Sequence, residues 1–201
     1  MNETKEHRCW NISDGYELRL LSAEEMAPFL KEWQEKMFSD GVILFPEYSE
    51  SEKASIQRLR SHMGSPLELC FGLFQGETFV GWHVGNQRSF LEFYMRNSAI
   101  LPEYRGKGLY SALLRVVVQH LLELGFQEIS SRHNCTNNAV IVPKLKQGFV
   151  ITALEVTDLF GTLVQLKYFA NERRRAVLDF RVGQARPDAC LLQSLAGGAK
   201  P

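Results

Sequence analysis

The residues of this chain best suited to chemistry lie in Ile100-Leu101-Pro102-Glu103-Tyr104-Arg105-Gly106-Lys107-Gly108-Leu109-Tyr110. The run follows an apolar, strand-like stretch and opens an amphipathic helical pattern. Such a turn gathers free backbone N–H groups, the positive end of a helix dipole and two cationic side chains. That combination is a site for an anion, most often a phosphate group. Glycines at 106 and 108 allow close approach and backbone conformations that a side chain would forbid. Arg105 and Lys107 can add charge-assisted hydrogen bonds.

Two phosphate patterns do not fit. A nucleoside-triphosphate P-loop needs Gly-x-x-x-x-Gly-Lys-Ser/Thr, but Leu101 stands at the first Gly and Gly108 follows the Lys. A dinucleotide fingerprint needs Gly-x-Gly-x-x-Gly, and Ser111 stands at the third Gly. The segment does resemble the pyrophosphate-binding motif of the GNAT superfamily of acyl-CoA N-acyltransferases, Arg/Gln-x-x-Gly-x-Gly/Ala. Arg105 to Tyr110 matches it except at the last position, where Tyr110 replaces a small residue. A second stretch, Asn137-Asn138-Ala139-Val140-Ile141-Val142-Pro143-Lys144-Leu145-Lys146-Gln147-Gly148-Phe149, resembles the family's Asn-led helix ending in Gly-Phe. The family's Ala falls on Val140 and its Tyr on Lys144.

The resemblance implies acyl transfer from a CoA thioester to an amine, with acetyl-CoA as cosubstrate. It implies a pyrophosphate held by the backbone of Arg105, Gly106, Lys107, Gly108, Leu109 and Tyr110. The pantetheine arm would pair with the main chain of Ser98, Ala99 and Ile100, as an added strand would. Asn137 would hydrogen-bond that arm, serve as a plain helix N-cap, or do both. A backbone N–H near Ile100 would polarise the thioester carbonyl.

An ammonium acceptor must lose a proton before attack, which calls for a base. Strand alternation puts Glu92, Tyr94, Arg96, Ser98 and Ile100 on one face, making Glu92 the candidate base unless it is an ion-pair partner of Arg96 or Arg88. His133 is the other candidate. Lys144, at the family's Tyr position, could protonate the leaving thiolate if its pKa were lowered; otherwise it is an exposed lysine. Tyr94, Tyr110 or solvent could serve instead. The resemblance implies an acceptor wall at the loop between the two early helices, Phe45, Pro46, Glu47 and Tyr48, where a carboxylate and two rings suit a cationic amine.

These residues need elements to hold them. Tyr16–Leu21 reads as a strand, and Ser22 with Glu25 forms a capping box before a helix to about Asp40-Gly41. Ser51 opens a second helix that stops near Gly64-Ser65-Pro66. Strands follow around Leu67–Gln75 and Thr78–Val84, with Gln75-Gly76-Glu77 as a hairpin turn. Phe90–Ile100 is a long strand, and Leu109–Leu124 is the clearest helix, closed by Gly125. Gln127–His133, the Asn-led helix, and strands around Phe149–Leu159 and Thr162–Phe169 complete the order. This order resembles the GNAT fold: α/β (α+β), with a mixed, mostly antiparallel sheet of about 6–7 strands flanked by about 4 helices. The division is an N-terminal extension over 1–15, an acyltransferase domain over 16–169, and a C-terminal helix and tail over 170–201. Asn171 caps the last helix, Arg173-Arg174-Arg175 is a solvated face or an acidic-partner patch, and Leu195–Pro201 is expected to be disordered.

Lys plus Arg and Asp plus Glu both total 23, so no basic field points to nucleic acid or a membrane surface. No signal-peptide core or membrane-length apolar run is present, and the four scattered cysteines form no Cys-x-x-Cys and no metal pattern. A cytoplasmic protein with free thiols follows. The acceptor is a small-molecule or peptide amine, with monomer and homodimer both open. A non-catalytic acyl-CoA-binding module and an interaction scaffold are the competing functions.

Overall fold

The computed structural model describes residues 8–38, 48–61, 64–189 and 192–193. Its strands are β1 (Cys9–Ser13), β2 (Tyr16–Leu21), β3 (Glu68–Gln75), β4 (Thr78–Gln87), β5 (Glu92–Ile100), β6 (Glu128–Asn134), β7 (Val150–Thr157) and β8 (Gly161–Phe169). They form one sheet in the order β1-β2-β3-β4-β5-β6-β8-β7. Every neighbouring pair is antiparallel except β5 with β6. The helices are α1 (Ala23–Met37), α2 (Glu50–Ser61), α3 (Leu109–Glu123), α4 (Asn138–Lys146) and α5 (Glu172–Arg181), with a 3₁₀ turn at Pro102–Tyr104. The mixed sheet with flanking helices is the α/β class expected from the sequence.

Local chemistry explains the helix starts. Ser22 accepts from the Glu25 N–H while the Glu25 carboxylate accepts from the Ser22 N–H, the reciprocal box that the sequence predicts. The same exchange at Ser49 and Glu52 places the capping serine two residues before Ser51, and α2 begins at Glu50. Asn171 caps α5 through the Arg174 N–H. Strand β1 falls in the stretch read as an extension. It pairs with β2, and its alternate residues Trp10 and Ile12 lean on the core. Five residues with polar neighbours give too little alternation to announce a strand.

Two cores flank the sheet. One lies under α3 and joins Leu113, Leu114, Val117 and Leu121 to Phe71, Phe93, Met95, Ile100 and Ile141. The other lies under α1 and joins Met26 to Phe74, Phe79, Trp82, Val84 and Ala99. Each fully buried aliphatic side chain contributes roughly 1.5–3 kcal/mol.

Strand β5 carries a feature that alters the sequence reading. Val84 pairs with Asn97 and Gly85 with Met95, so Arg96 is an extra residue with no partner of its own. This bulge reverses the alternation. Phe93 and Met95 therefore share a core with Ile100, and Glu92 and Tyr94 face the opposite side. The expectation that Glu92, Tyr94, Arg96, Ser98 and Ile100 share one face is corrected. Close packing enforces the local geometry: a Cβ at Gly85 would meet the Phe93 ring at 2.4 Å and the Tyr94 carbonyl at 2.6 Å.

Candidate active site

Strands β5 and β6 form a fork. They pair only where Glu92, Phe93 and Tyr94 meet Glu128, Ile129 and Ser130. From Met95 onward β5 stays on β4 and leaves β6. The Leu101 N–H donates to the Val80 carbonyl at 2.9 Å, and Trp82 pairs with Ala99 in the same register. Antiparallel alternation then turns the backbone groups of Ser98 and Ile100 toward the fork, and those of Ala99 toward β4. Ser98 and Ile100 thus present a strand edge. Ala99, expected to share that pairing, has its main chain engaged by β4.

At the open end the chain turns through Pro102–Tyr104 into α3. Gly106 and Gly108 both have φ of 75°, the left-handed region that favours glycine. Gly108 is the N-cap and supplies no side-chain cap, so the first-turn N–H groups of α3 have no intrahelical acceptor. A Cβ at Gly106 or Gly108 would meet nothing within 4 Å, so the space above the loop is open. Lys107 Nζ lies 3.5 Å from the Tyr16 hydroxyl and 5.1 Å from the Tyr104 ring. Arg105 is used differently from the sequence expectation: its Nε donates to the Ile100 carbonyl at 3.0 Å, tying the loop to the end of β5. The Tyr110 hydroxyl is buried without a hydrogen-bond partner among the described residues, and burial pushes its phenol well above the ordinary range. Tyr110 therefore makes a poor acid.

Where the fork opens, α4 inserts a lysine. Lys144 is 1% exposed, although the plainer sequence reading leaves it in solvent. Its Nζ donates to Ser131 Oγ at 2.9 Å and to Met95 Sδ at 3.2 Å, and sits 4.7 Å from the Phe149 ring centre. Ser131 and Met95 are the first residues beyond the paired segment on each strand. A thioether and a ring are weak acceptors, so the ammonium is poorly compensated. Burial lowers its pKa from 10.5 to about 7.

Two imidazoles share this region, His83 buried and His133 partly exposed. His133 Nε2 lies 3.0 Å from Ser131 Oγ, and His83 Nδ1 lies 2.8 Å from Ser98 Oγ. Burial, reinforced by the Lys144 charge, lowers both from 6.5 to about 3; the Arg96 charge adds to the effect on His83. Both rings are neutral at physiological pH. Asn137 is the N-cap of α4, as the N-cap reading has it, but its side chain makes no cap hydrogen bond.

The closed end is built from paired charges. Ser130 Oγ donates to the Glu92 carboxylate, and Lys167 lies 3.9 Å from it. Burial pushes Glu128 up, but hydrogen bonds from Lys167 and Arg174 outweigh it and hold the carboxyl below its ordinary range. The Tyr94 hydroxyl accepts from Arg132 Nε at 3.2 Å, with Arg132 also paired to Glu155 at 2.7 Å. The structure does not bring Glu92 or Tyr94 to the open end. Eight residues of strand, about 25 Å, separate Glu92 from Ile100. Of the acceptor-wall candidates only Tyr48 is described; Phe45, Pro46 and Glu47 lie outside the described residues, as does Leu195–Pro201.

Sequence reasoning missed Ser131, His83 and Asn97. Asn97 Oδ1 accepts from the buried Trp82 indole at 2.8 Å, which fixes the amide at the bulge. The i, i+2 spacing of Ser131 and His133 on a strand was a usable signal. The His83–Ser98 contact depends on strand register, and no local pattern announces it.

The family model for the acetyltransferase (GNAT) family matches residues 21–149, and the chain belongs to that family. A search of curated proteins finds no match. Among solved structures, the ribosomal-protein-S5-alanine acetyltransferase of Vibrio fischeri superposes with a TM-score of 0.61 at 12% identity, covering 82% of this chain and 98% of that one. A GNAT family acetyltransferase of Elizabethkingia anophelis with acetyl-CoA bound gives 0.58 at 13% identity, covering 78% and 99%. A point mutant of the spermidine N-acetyltransferase SpeG of Vibrio cholerae gives 0.57 at 15% identity, covering 78% and 95%. At these identities the likeness concerns the fold. No described helix is long and apolar enough to cross a membrane.

Proposed function

We propose that this protein transfers an acetyl group from acetyl-CoA to a primary amine by direct attack in a ternary complex. One observation carries the reading: an unpaired strand edge leads from an uncapped helix N-terminus to a buried amine at the point where β5 and β6 part. The loop from Arg105 to Tyr110 would hold the pyrophosphate through its backbone. Ser98 and the Ile100 N–H would pair with the pantetheine amides, the Ile100 carbonyl being held by Arg105, and the Asn137 amide would add a further contact.

The neutral acceptor nitrogen attacks the thioester carbonyl and loses a proton to solvent, the carbon–sulfur bond breaks, and the sulfur takes a proton. Lys144 is suited to supply it. A thiol has a pKa of about 8.5, so transfer from an ammonium near 7 is downhill by roughly 2 kcal/mol, whereas transfer from an ordinary lysine is uphill. Burial therefore gives lysine the acidity that the family's tyrosine position calls for. Glu92 and Tyr94 are left out of this reading because they belong to the closed end. The compartment is the cytoplasm, consistent with free thiols at Cys9, Cys70 and Cys135.

A binding module without catalysis draws on one observation. Neither β5 beyond Glu92 nor β6 beyond Glu128 carries a carboxylate to take the acceptor's proton. Thiol release from acetyl-CoA, with spermidine and an alanine-led peptide as first probes, separates the two readings. Thermal unfolding tests the site itself. Acetyl-CoA at about 100 times its Kd should add ~2.7 kcal/mol to the wild type, and Gly108→Trp should abolish the gain. No stabilisation at millimolar acetyl-CoA would overturn the proposal.

A further inference from the structure

Lys144 poses a problem that its burial creates. An acid that gives up its proton must be recharged before the next turnover, and a cofactor seated in the fork would cover what little of this amine is exposed. Its neighbours supply a line. Lys144 Nζ, Ser131 Oγ and His133 Nε2 follow one another at 2.9 and 3.0 Å. Ser131 is fully buried, whereas His133 is partly exposed and is followed by exposed Asn134 and Cys135. Both relay residues lie on β6, two apart and on one face, so the strand itself fixes their spacing.

We propose that Ser131 and His133 form a proton path between solvent and the buried amine of Lys144, which recharges it without opening the fold. The function assigned to the path rests on the acyltransferase reading above; the path itself does not. With Lys144 charged, Nζ donates to Ser131 Oγ and the serine O–H donates to His133 Nε2. With Lys144 neutral, the partly exposed His133 ring gives its Nδ1 proton to solvent and takes one from solvent at Nε2, and the order reverses. His133 Nε2–H donates to Ser131, and the serine O–H donates to the Nζ lone pair. Recharging moves the serine proton to Nζ, the Nε2 proton to the serine and a solvent proton to Nδ1. One proton is gained by Lys144 and one is lost by solvent, and the imidazole stays neutral.

The electrostatic surroundings suit this traffic. The titratable groups that respond to the Lys144 charge are His83 on β4 and His133 on β6, both neutral, and burial alone accounts for the shift of Lys144. Arg96, on β5, acts on His83. Among the described residues no carboxylate contributes to trap the proton. His83 is held by Ser98 and stands outside the line. Ser131 and His133 are positioning residues, since they act on the reacting atoms through Lys144.

The test is the exchange rate of the Lys144 Nζ protons with water, read by NMR on ¹⁵N-lysine-labelled full-length protein at about pH 5.5, where the amine is charged. Ser131→Ala and His133→Phe should each slow exchange on the order of tenfold or more, and Ser131→Thr should restore it. A merely structural role predicts the opposite sign, because a loosened core admits water and speeds exchange. Unchanged or faster exchange in both variants would overturn the path. Acetyl-CoA stabilisation, measured on the same samples, keeps the two ideas apart. Retained binding with unchanged exchange rejects the path alone; absent binding in the wild type rejects the acyltransferase reading, while exchange still decides the path.

Discussion

Glu92 and Lys144 are ionisable residues on opposite faces of one fork, Glu92 on the paired segment and Lys144 just beyond it, and their surroundings are opposites. Glu92 belongs to a set in which each charge has a partner: Ser130 and Lys167 for Glu92, and Lys167 and Arg174 for Glu128. Lys144 has a hydroxyl, a thioether and a ring, and no counter-ion among the described residues. Paired charges hold strands in register and are explained by that work. An uncompensated buried amine destabilises the fold that contains it, and such groups concentrate at functional sites. On the proposed reading, structure belongs to the paired segment and chemistry to the point where the strands part.

The largest effect expected is at Lys144. Lys144→Met should reduce acetyl transfer by about 10²-fold or more, measured as thiol release, while raising stability at pH 7 by about 2–4 kcal/mol in urea unfolding. The gain has a defined pH course. Between the folded value near 7 and the unfolded 10.5, the unfolded chain binds the proton more tightly, so wild-type stability rises with pH across that window. The advantage of Lys144→Met should shrink accordingly toward pH 10.5. A variant that lost both activity and stability would contradict the assignment.

The histidines give the next effect. His83 and His133 are lowered to about 3, so between pH 6.5 and 3 the unfolded state takes up protons that the folded state refuses. Stability should fall with falling pH in that window, by ~1.4 kcal/mol per pH unit for each ring where that ring is charged in the unfolded chain only. His83→Phe should flatten the acid limb by the contribution of one ring. A limb of unchanged slope would show that the ring is hydrated.

The smallest effect is expected at the closed end. Glu92→Gln should cost about 1 kcal/mol, because it keeps an acceptor for Ser130 and weakens a partly exposed ion pair. Its thiol-release activity should stay close to wild type. A large loss of kcat would return Glu92 to the catalytic machinery and break the contrast between the two residues.

The sequence reveals much of this molecule, and where it falls short the cause is tertiary. The glycines at 106 and 108, the Ser22 box and the apolar stripe of α3 are local signals, and local rules read them correctly. The bulge at Arg96 is one unpaired residue, and a single insertion reverses the facing of everything before it. Period-two reasoning therefore puts Glu92 on the face of Ile100, and the bulge moves it to the other. The burial of Lys144 follows from the packing of α4 against the parted strands, and Val142-Pro143-Lys144-Leu145-Lys146 has no periodicity to foretell it. Ser131 acquires meaning only once Lys144 is seen against it.

The central claim is that Lys144 is a buried, uncompensated amine whose acidity matches a thiol leaving group. Titrating its side chain by NMR in ¹³C-lysine-labelled protein, with Lys144→Met to assign the signal, tests this directly. The account predicts a midpoint of about 7. A midpoint at the ordinary lysine value, ~10.4, would mean that the amine is solvated or paired, and would remove it from the chemistry.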